Sequence, residues 1–320
     1  SGTDFRIDGE ALHAEDFNNV TPVDLPRGAV LSGVFSDGTP FAFTSDEGDY
    51  FAPGALRVSS NRYLLSPASI LLPFGDYVPP RGLLPGQSLT LNPAQNVGDN
   101  FTAGWASDLT VAGGSVGQNF EAVGTHVTLA DGSIGEDMDV LFGSVLDITG
   151  GTIGDGLEAH RGSTVNIAGG TVQQILAKVG STVNLSGGTH GRTTDDWLRI
   201  DLEPGSTLHV FGTNLLVDGR PVEGLAENGT ITLSWEDRRY YSWAITGELL
   251  DGSPFRASVY YELLPASSGA EDLGLPTITL TLATAGIAVP EPASTVLAFA
   301  AILLCGIGRL GHRASMVTPR

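Results

Sequence analysis

The sequence predicts an all-β protein: a right-handed parallel β-helix (a β-solenoid) with about 18–19 residues per coil, followed by a single C-terminal transmembrane helix. Three observations support this prediction. A glycine-containing segment recurs five times at a near-constant spacing, 43 of the 320 residues are Gly while only 16% are charged, and an uncharged apolar run lies close to the C-terminus. Many glycines with few charges indicate turns and strands rather than long exposed helices.

The repeat is a nine-residue segment in the middle of the chain. Its copies begin at Leu109, Val127, Leu146, Val165 and Val183, which are 18, 19, 19 and 18 residues apart. One period held over four intervals indicates a repeat architecture. The copies read LTVAGGSVG, VTLADGSIG, LDITGGTIG, VNIAGGTVQ and VNLSGGTHG.

Each repeat predicts one coil of the solenoid. Its first and third residues are apolar and therefore face the same side of a strand. A Gly-Gly or Asp-Gly pair then lets the chain turn, and a further glycine closes the coil. A single coil cannot bury its apolar side, but coils stacked at about 4.8 Å bury a continuous column. We expect the right hand because parallel crossover connections almost always take it. The closing glycines are Gly124, Gly143, Gly162 and Gly180.

The regions around the repeats divide the chain into four predicted parts. Residues 1–88 form an N-terminal β-rich flank, 89–215 the solenoid, 216–288 a C-terminal β-rich cap, and 289–320 a sorting segment with the transmembrane helix. Residues 31–41 and 245–255 resemble each other, and each predicts two strands joined by an Asp-Gly turn. The aromatic residues of the cap predict either a core that closes the end of the stack or a platform for sugar rings.

The charge of the chain is unevenly distributed. The net charge is −20 with a pI near 4.4. Before Glu291 there are 35 acidic and 13 basic residues, whereas three arginines and no acidic residue follow it. This balance disfavours nucleic acids and anionic lipid headgroups, so we expect no nucleic-acid partner. The single cysteine, Cys305, allows no intrachain disulfide.

The C-terminal segment predicts a membrane anchor. The uncharged stretch from Ala293 to Gly308 has 16 residues, close to the length of a spanning helix at about 1.5 Å per residue. Arg309 and Arg313 follow it and predict a cytoplasmic end. The polar break at Pro290-Glu291-Pro292 and the change of charge argue against the alternative, a buried terminal helix of a soluble protein.

The Pro290-Glu291-Pro292 tripeptide, the short hydrophobic helix and the terminal arginines resemble the PEP-CTERM sorting signal, also known as an ice-binding-protein C-terminal domain. The resemblance covers about a tenth of the chain, and the repeats are similar to glycine-rich repeats of envelope proteins with this tail. It implies export, anchoring in the inner membrane, and recognition near the tripeptide by an exosortase-type processing enzyme in bacteria that make exopolysaccharide. We therefore expect a signal peptide that is removed or lies upstream, and a final location at the cell surface or in the extracellular matrix.

A row of acidic side chains is the first candidate site. The alignment of the repeats places Glu121, Asp139 and Glu158 at equivalent positions of three successive coils. Like charges about 5 Å apart repel one another unless they are hydrated or bridged by a cation. Weak Ca²⁺ binding is the only cofactor interaction that this row suggests, and a solvated acidic face without metal is the simpler interpretation.

An insertion after the fifth repeat holds a second candidate cluster. Loops that interrupt a scaffold often carry function, although four polar residues in seven are equally typical of a solvated loop. The cluster consists of His190, Arg192, Asp195 and Asp196. The other histidines show no metal-ligand spacing; they include His13, His126, His160 and His209. A further polar row is predicted to be structural because stacked amides satisfy each other; it comprises Thr128, Asp147, Asn166 and Asn184.

These features favour a non-catalytic exported cell-surface or extracellular-matrix protein associated with exopolysaccharide or other envelope components. The alternative is a polysaccharide-active β-helix enzyme, a lyase or hydrolase that uses an acidic cluster. A third hypothesis, adhesion to ice or another flat solid, requires a regular threonine row. The residues that approach such a row are Ser115, Ser133, Thr152, Thr171 and Thr189.

Overall fold

The computed structural model describes residues 2–12, 21–23, 29–35, 38–44, 56–58, 69–70, 81–191, 197–235, 242–261 and 274–283. They belong to one compact unit, Ser1–Ala283, and every element among them is a β-strand. Within these ranges we find no helix with the length and apolarity needed to cross a bilayer. The predicted sorting motif at 290–292, the transmembrane segment at 293–308 and the arginines beyond it lie outside the described residues.

The first strands of successive coils stack into a parallel face, which we call face A. Register is kept from coil to coil, so that Leu109 pairs with Val127, Val127 with Leu146 and Leu146 with Val165. The strands of face A are β7 (Ser69–Ile70), β9 (Ser88–Leu91), β12 (Asp108–Val116), β14 (His126–Ile134), β16 (Val145–Ile148), β19 (Thr164–Val172), β21 (Thr182–His190), β23 (Thr207–Val217) and β28 (Thr277–Leu282). The short strands β10 (Asn96–Val97) and β17 (Thr152–Ile153) pair with the C-terminal ends of β12 and β14.

The last strand of each coil contributes to a second parallel face, face B. Here Glu121 pairs with Asp139, and Asp139 with Glu158. The strands of face B are β8 (Gly82–Leu83), β11 (Thr102–Ala103), β13 (Glu121–Ala122), β15 (Met138–Val140), β18 (Leu157–Ala159), β20 (Gln174–Ala177), β22 (Leu198–Leu202) and β27 (Pro254–Tyr261). The protein is therefore all-β with parallel strands stacked one repeat apart, an arrangement compatible with the predicted β-helix.

The apolar side chains of each repeat point into the stack. Those at equivalent positions of successive coils form columns of fully buried side chains. One column of face A runs from Leu89 through Leu109 and Val127 to Ile278, and Phe101 and Phe120 begin a column of face B with ring centroids 6.0 Å apart. Polar side chains alternate with these residues and point outward. At about 25 cal/mol per Å² of apolar surface, such columns are the main stabilising term of the fold.

The glycines of the repeat serve two different purposes. The closing glycine Gly162 has φ +72°, a left-handed conformation that favours glycine, and Gly124, Gly143 and Gly180 also have positive φ as expected. Gly150, in the first corner, has no such φ, but a Cβ there would lie 2.1 Å from the carbonyl oxygen of Ala130 in the previous coil. Coil stacking therefore needs glycine for close approach as well as for turning.

Antiparallel strands are added where the parallel stack ends. β25 (Thr230–Leu233) pairs with β28, β26 (Ser242–Leu249) pairs with both β27 and β23, and the two-residue β24 (Arg220–Pro221) forms a hairpin with β23. Trp235 is buried here, donates its Nε1–H to the Pro276 carbonyl at 2.7 Å, and contacts Trp243 and Tyr261. Trp235 belongs to the core, and the partly buried Trp243 and Tyr261 pack against it.

The N-terminal flank forms a separate antiparallel sheet with the strand order β2-β1-β4-β5. Val30 and Ala42 of this sheet pack against Val123 and Leu141 of the stack. The hairpins expected within 31–41 and 245–255 are both present, as β4 with β5 and as β26 with β27. The sheet strands are β1 (Gly2–Ile7), β2 (Glu10–Ala11), β4 (Val30–Phe35) and β5 (Pro40–Thr44), and β3 (Thr21–Val23) pairs separately with β6 (Leu56–Val58).

Candidate functional site

The acidic row lies on the outer side of face B, where its three carboxylates occupy successive coils in register. The same outward column begins with Thr102 and continues through Leu176 and Asp201 to Tyr260. Three adjacent acidic residues therefore lie in the middle of a row that is polar except for Leu176 and that ends in an aromatic side chain.

Each carboxylate of the row turns to a different partner. Glu121 accepts a hydrogen bond from the Thr102 hydroxyl at 3.1 Å, Asp139 lies 3.0 Å from His160 Nε2, and Glu158 lies 2.8 Å from the Lys178 ammonium. Partners that differ along the row reduce the repulsion that stacked like charges would otherwise cause. The row is therefore a network of mixed charge and not a bare acidic ladder.

His160 and Lys178 come from the positions that follow β18 and β20, immediately after buried alanines. His160 is fixed through its backbone: its N–H donates to Val140 O at 2.9 Å, and its carbonyl accepts from Ser163 Oγ at 2.6 Å. The Lys178 N–H donates to Ala159 O at 2.8 Å. Because Ala159 and Ala177 are in register, the two basic side chains are neighbours beside the carboxylates.

The charge state of Lys178 limits what this cluster can do. Burial lowers the pKa of the ammonium, but Glu158, Glu203 and Asp139 raise it, and the net effect is a pKa above its ordinary value. A lysine that serves as a general base needs a lowered pKa. Lys178 is therefore a permanent cation paired with Glu158.

Asp139, Glu158 and His160 place three potential ligand atoms together. Nε2 of His160 is 3.0 Å from Asp139 Oδ1 and 3.6 Å from Glu158 Oε2, and the three ligand atoms all lie within 4.8 Å of one another. The imidazole is 5% exposed, whereas the carboxylates are partly exposed. The cluster therefore combines a fixed, buried nitrogen with two oxygen donors that solvent reaches.

The predicted structural row on face A is in register and hydrogen-bonded. Asn184 Nδ2 donates to Asn166 Oδ1, and Asn166 Nδ2 donates to Asp147 Oδ1, each at 2.7 Å. His126 lies between Asp147, at 2.8 Å from its Nε2, and Asp108, at 3.7 Å from its Nδ1. The two carboxylates thus contact opposite nitrogens of one ring, so His126 bridges them. The three side chains therefore do not direct their ligand atoms at a common metal position.

The second candidate cluster is only partly described, because residues 192–196, including Arg192, Asp195 and Asp196, lie outside the described residues. His190 ends β21 and is buried in register with Val172. Its Nε2 is 3.0 Å from Gly187 O, and Phe255 packs edge-on against the ring at 6.1 Å. Within the described part of the chain its Nδ1 has no partner, and burial lowers the pKa of the imidazole to about 4. His190 is thus a core residue, not a solvent-facing group.

Two exposed aromatic side chains lie near one end of face B. Trp197 precedes β22 and is 43% exposed, and Tyr260 of β27 is 41% exposed with the Arg199 guanidinium 5.6 Å from its ring centroid. Arg199 also makes an ion pair with Asp201, the register partner of Tyr260, at 2.8 Å. Each of these side chains offers a flat apolar surface, and that of Tyr260 lies beside polar groups, the combination that sugar rings bind.

The row considered for a flat solid is in register on face A, but two of its five positions are serine. A second row of register partners lies at the start of the face A strands; it begins with Ser69, Ser88, Asp108, His126 and Val145 and changes to Thr164, Thr182, Thr207 and Thr277. Threonine is therefore continuous over only part of the face.

Sequence reasoning missed His160 and Lys178. His160 has no metal-ligand spacing along the chain, but in a stacked fold residues one repeat apart are also neighbours, and Asp139 is such a neighbour of His160. The signal was present: the alignment that placed Asp139 opposite Glu158 also places Leu141, His160 and Lys178 at one position.

Comparisons of the chain with known protein families, with curated proteins and with solved structures found no match.

Proposed function

We propose that this chain is a non-catalytic exported protein of the cell surface or extracellular matrix, whose stacked body associates with exopolysaccharide. The observation that supports this proposal is the outer row of face B, in which three adjacent carboxylates share a column with the exposed Tyr260, while the exposed Trp197 precedes β22 of the same face. Carboxylates accept hydrogen bonds from sugar hydroxyls, and Trp197 and Tyr260 supply stacking surfaces. The carboxylates recur at the strand spacing over three coils, an arrangement that suits an extended polymer better than a small ligand.

The proposal includes the delivery of the protein. On the resemblance of its tail to a PEP-CTERM signal, the helix 293–308 spans the inner membrane until an exosortase-type enzyme acts near Pro290-Glu291-Pro292. The body then reaches the surface or matrix. A right-handed coil also belongs to the proposal and rests on the preference of parallel crossovers for that hand.

The experiment that tests the binding role is co-sedimentation of the full chain with exopolysaccharide from an exopolysaccharide-producing Gram-negative host. Wild type should sediment with the polymer, and the double variant W197A/Y260A should bind roughly 30-fold more weakly, since two stacking contacts of about 1 kcal/mol each are lost. Phe43→Ala is the matched control, because Phe43 is 40% exposed on the N-terminal sheet. Equal retention of all three proteins would contradict this role.

A second candidate function, a polysaccharide lyase or hydrolase, is favoured by one observation: His160 and Lys178 lie beside the three carboxylates of face B. The raised pKa of Lys178 argues against its use as a base, so His160 would have to abstract the proton. The test is the release of unsaturated sugars or reducing ends by wild type and by Glu158→Gln. Product that forms with wild type and is lost in the variant would replace the non-catalytic proposal.

A further inference from the structure

We infer that Asp139, Glu158 and His160 form a binding site for a transition-metal dication, with Zn²⁺ the best fit. This inference goes beyond the proposed function and does not depend on it, because the site would exist in a binding protein and in an enzyme alike. From sequence, the acidic row suggested only weak Ca²⁺ binding through carboxylates. The structure adds an imidazole and thereby changes the class of metal expected.

The distances within the cluster fit a tetrahedral ion. Ligand bonds of 2.0–2.2 Å with tetrahedral angles place neighbouring donor atoms roughly 3.3–3.6 Å apart. His160 Nε2 lies 3.0 Å from Asp139 Oδ1 and 3.6 Å from Glu158 Oε2. The oxygens of the two carboxylates lie within 4.8 Å of each other, so their closer approach around an ion would complete three positions of the shell, and the outward side of face B leaves the fourth to water.

The donor set selects against calcium. Ca²⁺ requires six to eight oxygen ligands at 2.3–2.6 Å and has little affinity for imidazole, whereas one nitrogen with two carboxylate oxygens is typical of Zn²⁺ and related ions. The nitrogen is also held in place: His160 is buried, and both of its backbone groups are hydrogen-bonded to neighbouring residues. A fixed ligand loses little freedom on binding.

The charge around the cluster also favours a cation, because the carboxylates outnumber the basic side chains. Asp139, Glu158 and Glu203 surround the single ammonium of Lys178. Lys178 contacts the same Glu158 oxygen that approaches His160, so it competes with a metal for that atom without neutralising the cluster. Removing Lys178 should consequently strengthen metal binding, an effect opposite to that of removing a ligand.

Calorimetric titration of the full chain, made without a histidine tag, with ZnCl₂ and with CaCl₂ tests this inference. Wild type should bind one Zn²⁺ at face B at least about tenfold more tightly than Ca²⁺. His160→Gln should weaken Zn²⁺ binding at least about tenfold and change Ca²⁺ binding much less, because it removes the only nitrogen donor. Lys178→Met should tighten Zn²⁺ binding. His126→Gln is the matched control, since His126 contacts its two carboxylates through opposite nitrogens and should leave the affinity unchanged.

Zinc K-edge absorption spectra of the loaded wild-type protein keep the inference testable if His160→Gln does not fold. One imidazole in the metal shell, together with tighter binding by Lys178→Met, would support the site. A shell of oxygen atoms alone, equal affinities for Zn²⁺ and Ca²⁺, or no saturable Zn²⁺ binding would overturn it.

Discussion

At the scale of single residues, His190 makes the fold sensitive to acid. It occupies a core position that is aliphatic in the preceding coil, where Val172 is its register partner. Asp251, in the turn between β26 and β27, lies nearby and accepts a hydrogen bond from Gly188 N–H at 2.7 Å. The negative charge of Asp251 raises the pKa of the His190 imidazole, but burial has the larger effect and lowers this pKa to about 4. The folded protein therefore resists protonation of His190.

This resistance predicts a loss of stability at mildly acidic pH. In the unfolded chain His190 takes up a proton near its ordinary pKa of 6.5, whereas in the folded protein it does so only near pH 4. Unfolding is therefore favoured progressively as the pH falls from about 6.5 towards 4, by about 3 kcal/mol at the lower end, and has no such contribution above pH 7. Urea unfolding of wild type and His190→Val at several pH values measures this difference.

The His190→Val variant should be more stable than wild type by an amount that grows between pH 7 and pH 4. Val172→Ala is the control, because it alters the buried register partner of His190 without removing a titratable group and should change stability by the same amount at every pH. A difference between wild type and His190→Val that stays constant over this pH range would show that protonation of His190 does not control acid unfolding.

At the scale of the coil, the stacking distance depends on small residues in the first corner. Gly150→Ala should destabilise the fold by about 1–3 kcal/mol, because its Cβ would meet the carbonyl oxygen of Ala130 and this backbone atom cannot move without opening the stack. Thermal and urea unfolding of the full chain measure the loss. Gly98→Ala is the matched control, since open space surrounds that position.

Gly98→Ala should leave the free energy of unfolding within about 0.5 kcal/mol of wild type. If both variants lost the same stability, the cause would be glycine's backbone freedom in general. If neither did, the coils would be free to separate at the corner, and the close contact between Gly150 and Ala130 would not limit stacking.

Much of the fold follows from the sequence because a repeat period fixes register. Once Leu109, Val127 and Leu146 are aligned, every residue between them acquires a neighbour one coil away, and alternation decides which side chains are buried. The acidic row on face B was predictable for this reason. The parallel stack also continues into β27 and β28, where the repeat pattern is no longer visible in the sequence.

The candidate metal cluster was not predicted, because it forms between side chains of two different rows. His160 and Lys178 stand in a column that begins with the apolar Val123 and Leu141, so the alignment suggests a buried position rather than a polar one. The approach of His160 to Asp139 is a matter of side-chain direction at the end of β18. Periodicity gives register but does not specify that direction.

At the scale of the whole molecule, the body of the chain is acidic and its C-terminal end is basic. The residues before Glu291 carry a net charge of −22, and those after it carry three arginines. A body of this charge is repelled by anionic membrane surfaces and by nucleic acids. On the proposed delivery, attachment to the membrane would therefore depend on the tail, and removal of the tail should suffice to release the body from the membrane.

The fate of the tail is tested by the intact mass of the protein in envelope and medium fractions. Replacing Pro290, Glu291 and Pro292 by alanine should leave full-length chain in the inner membrane, because the processing enzyme no longer recognises it. Wild type should yield a chain that ends near Pro290 in the surface or medium fraction.

The matched control is P221A/E223A, which removes an exposed proline and glutamate from the body. That control should be processed as wild type is, since only the tail carries the signal. Full-length wild type confined to the inner membrane would identify the tail as a permanent anchor, and the exopolysaccharide role would then give way to partners that face the periplasm.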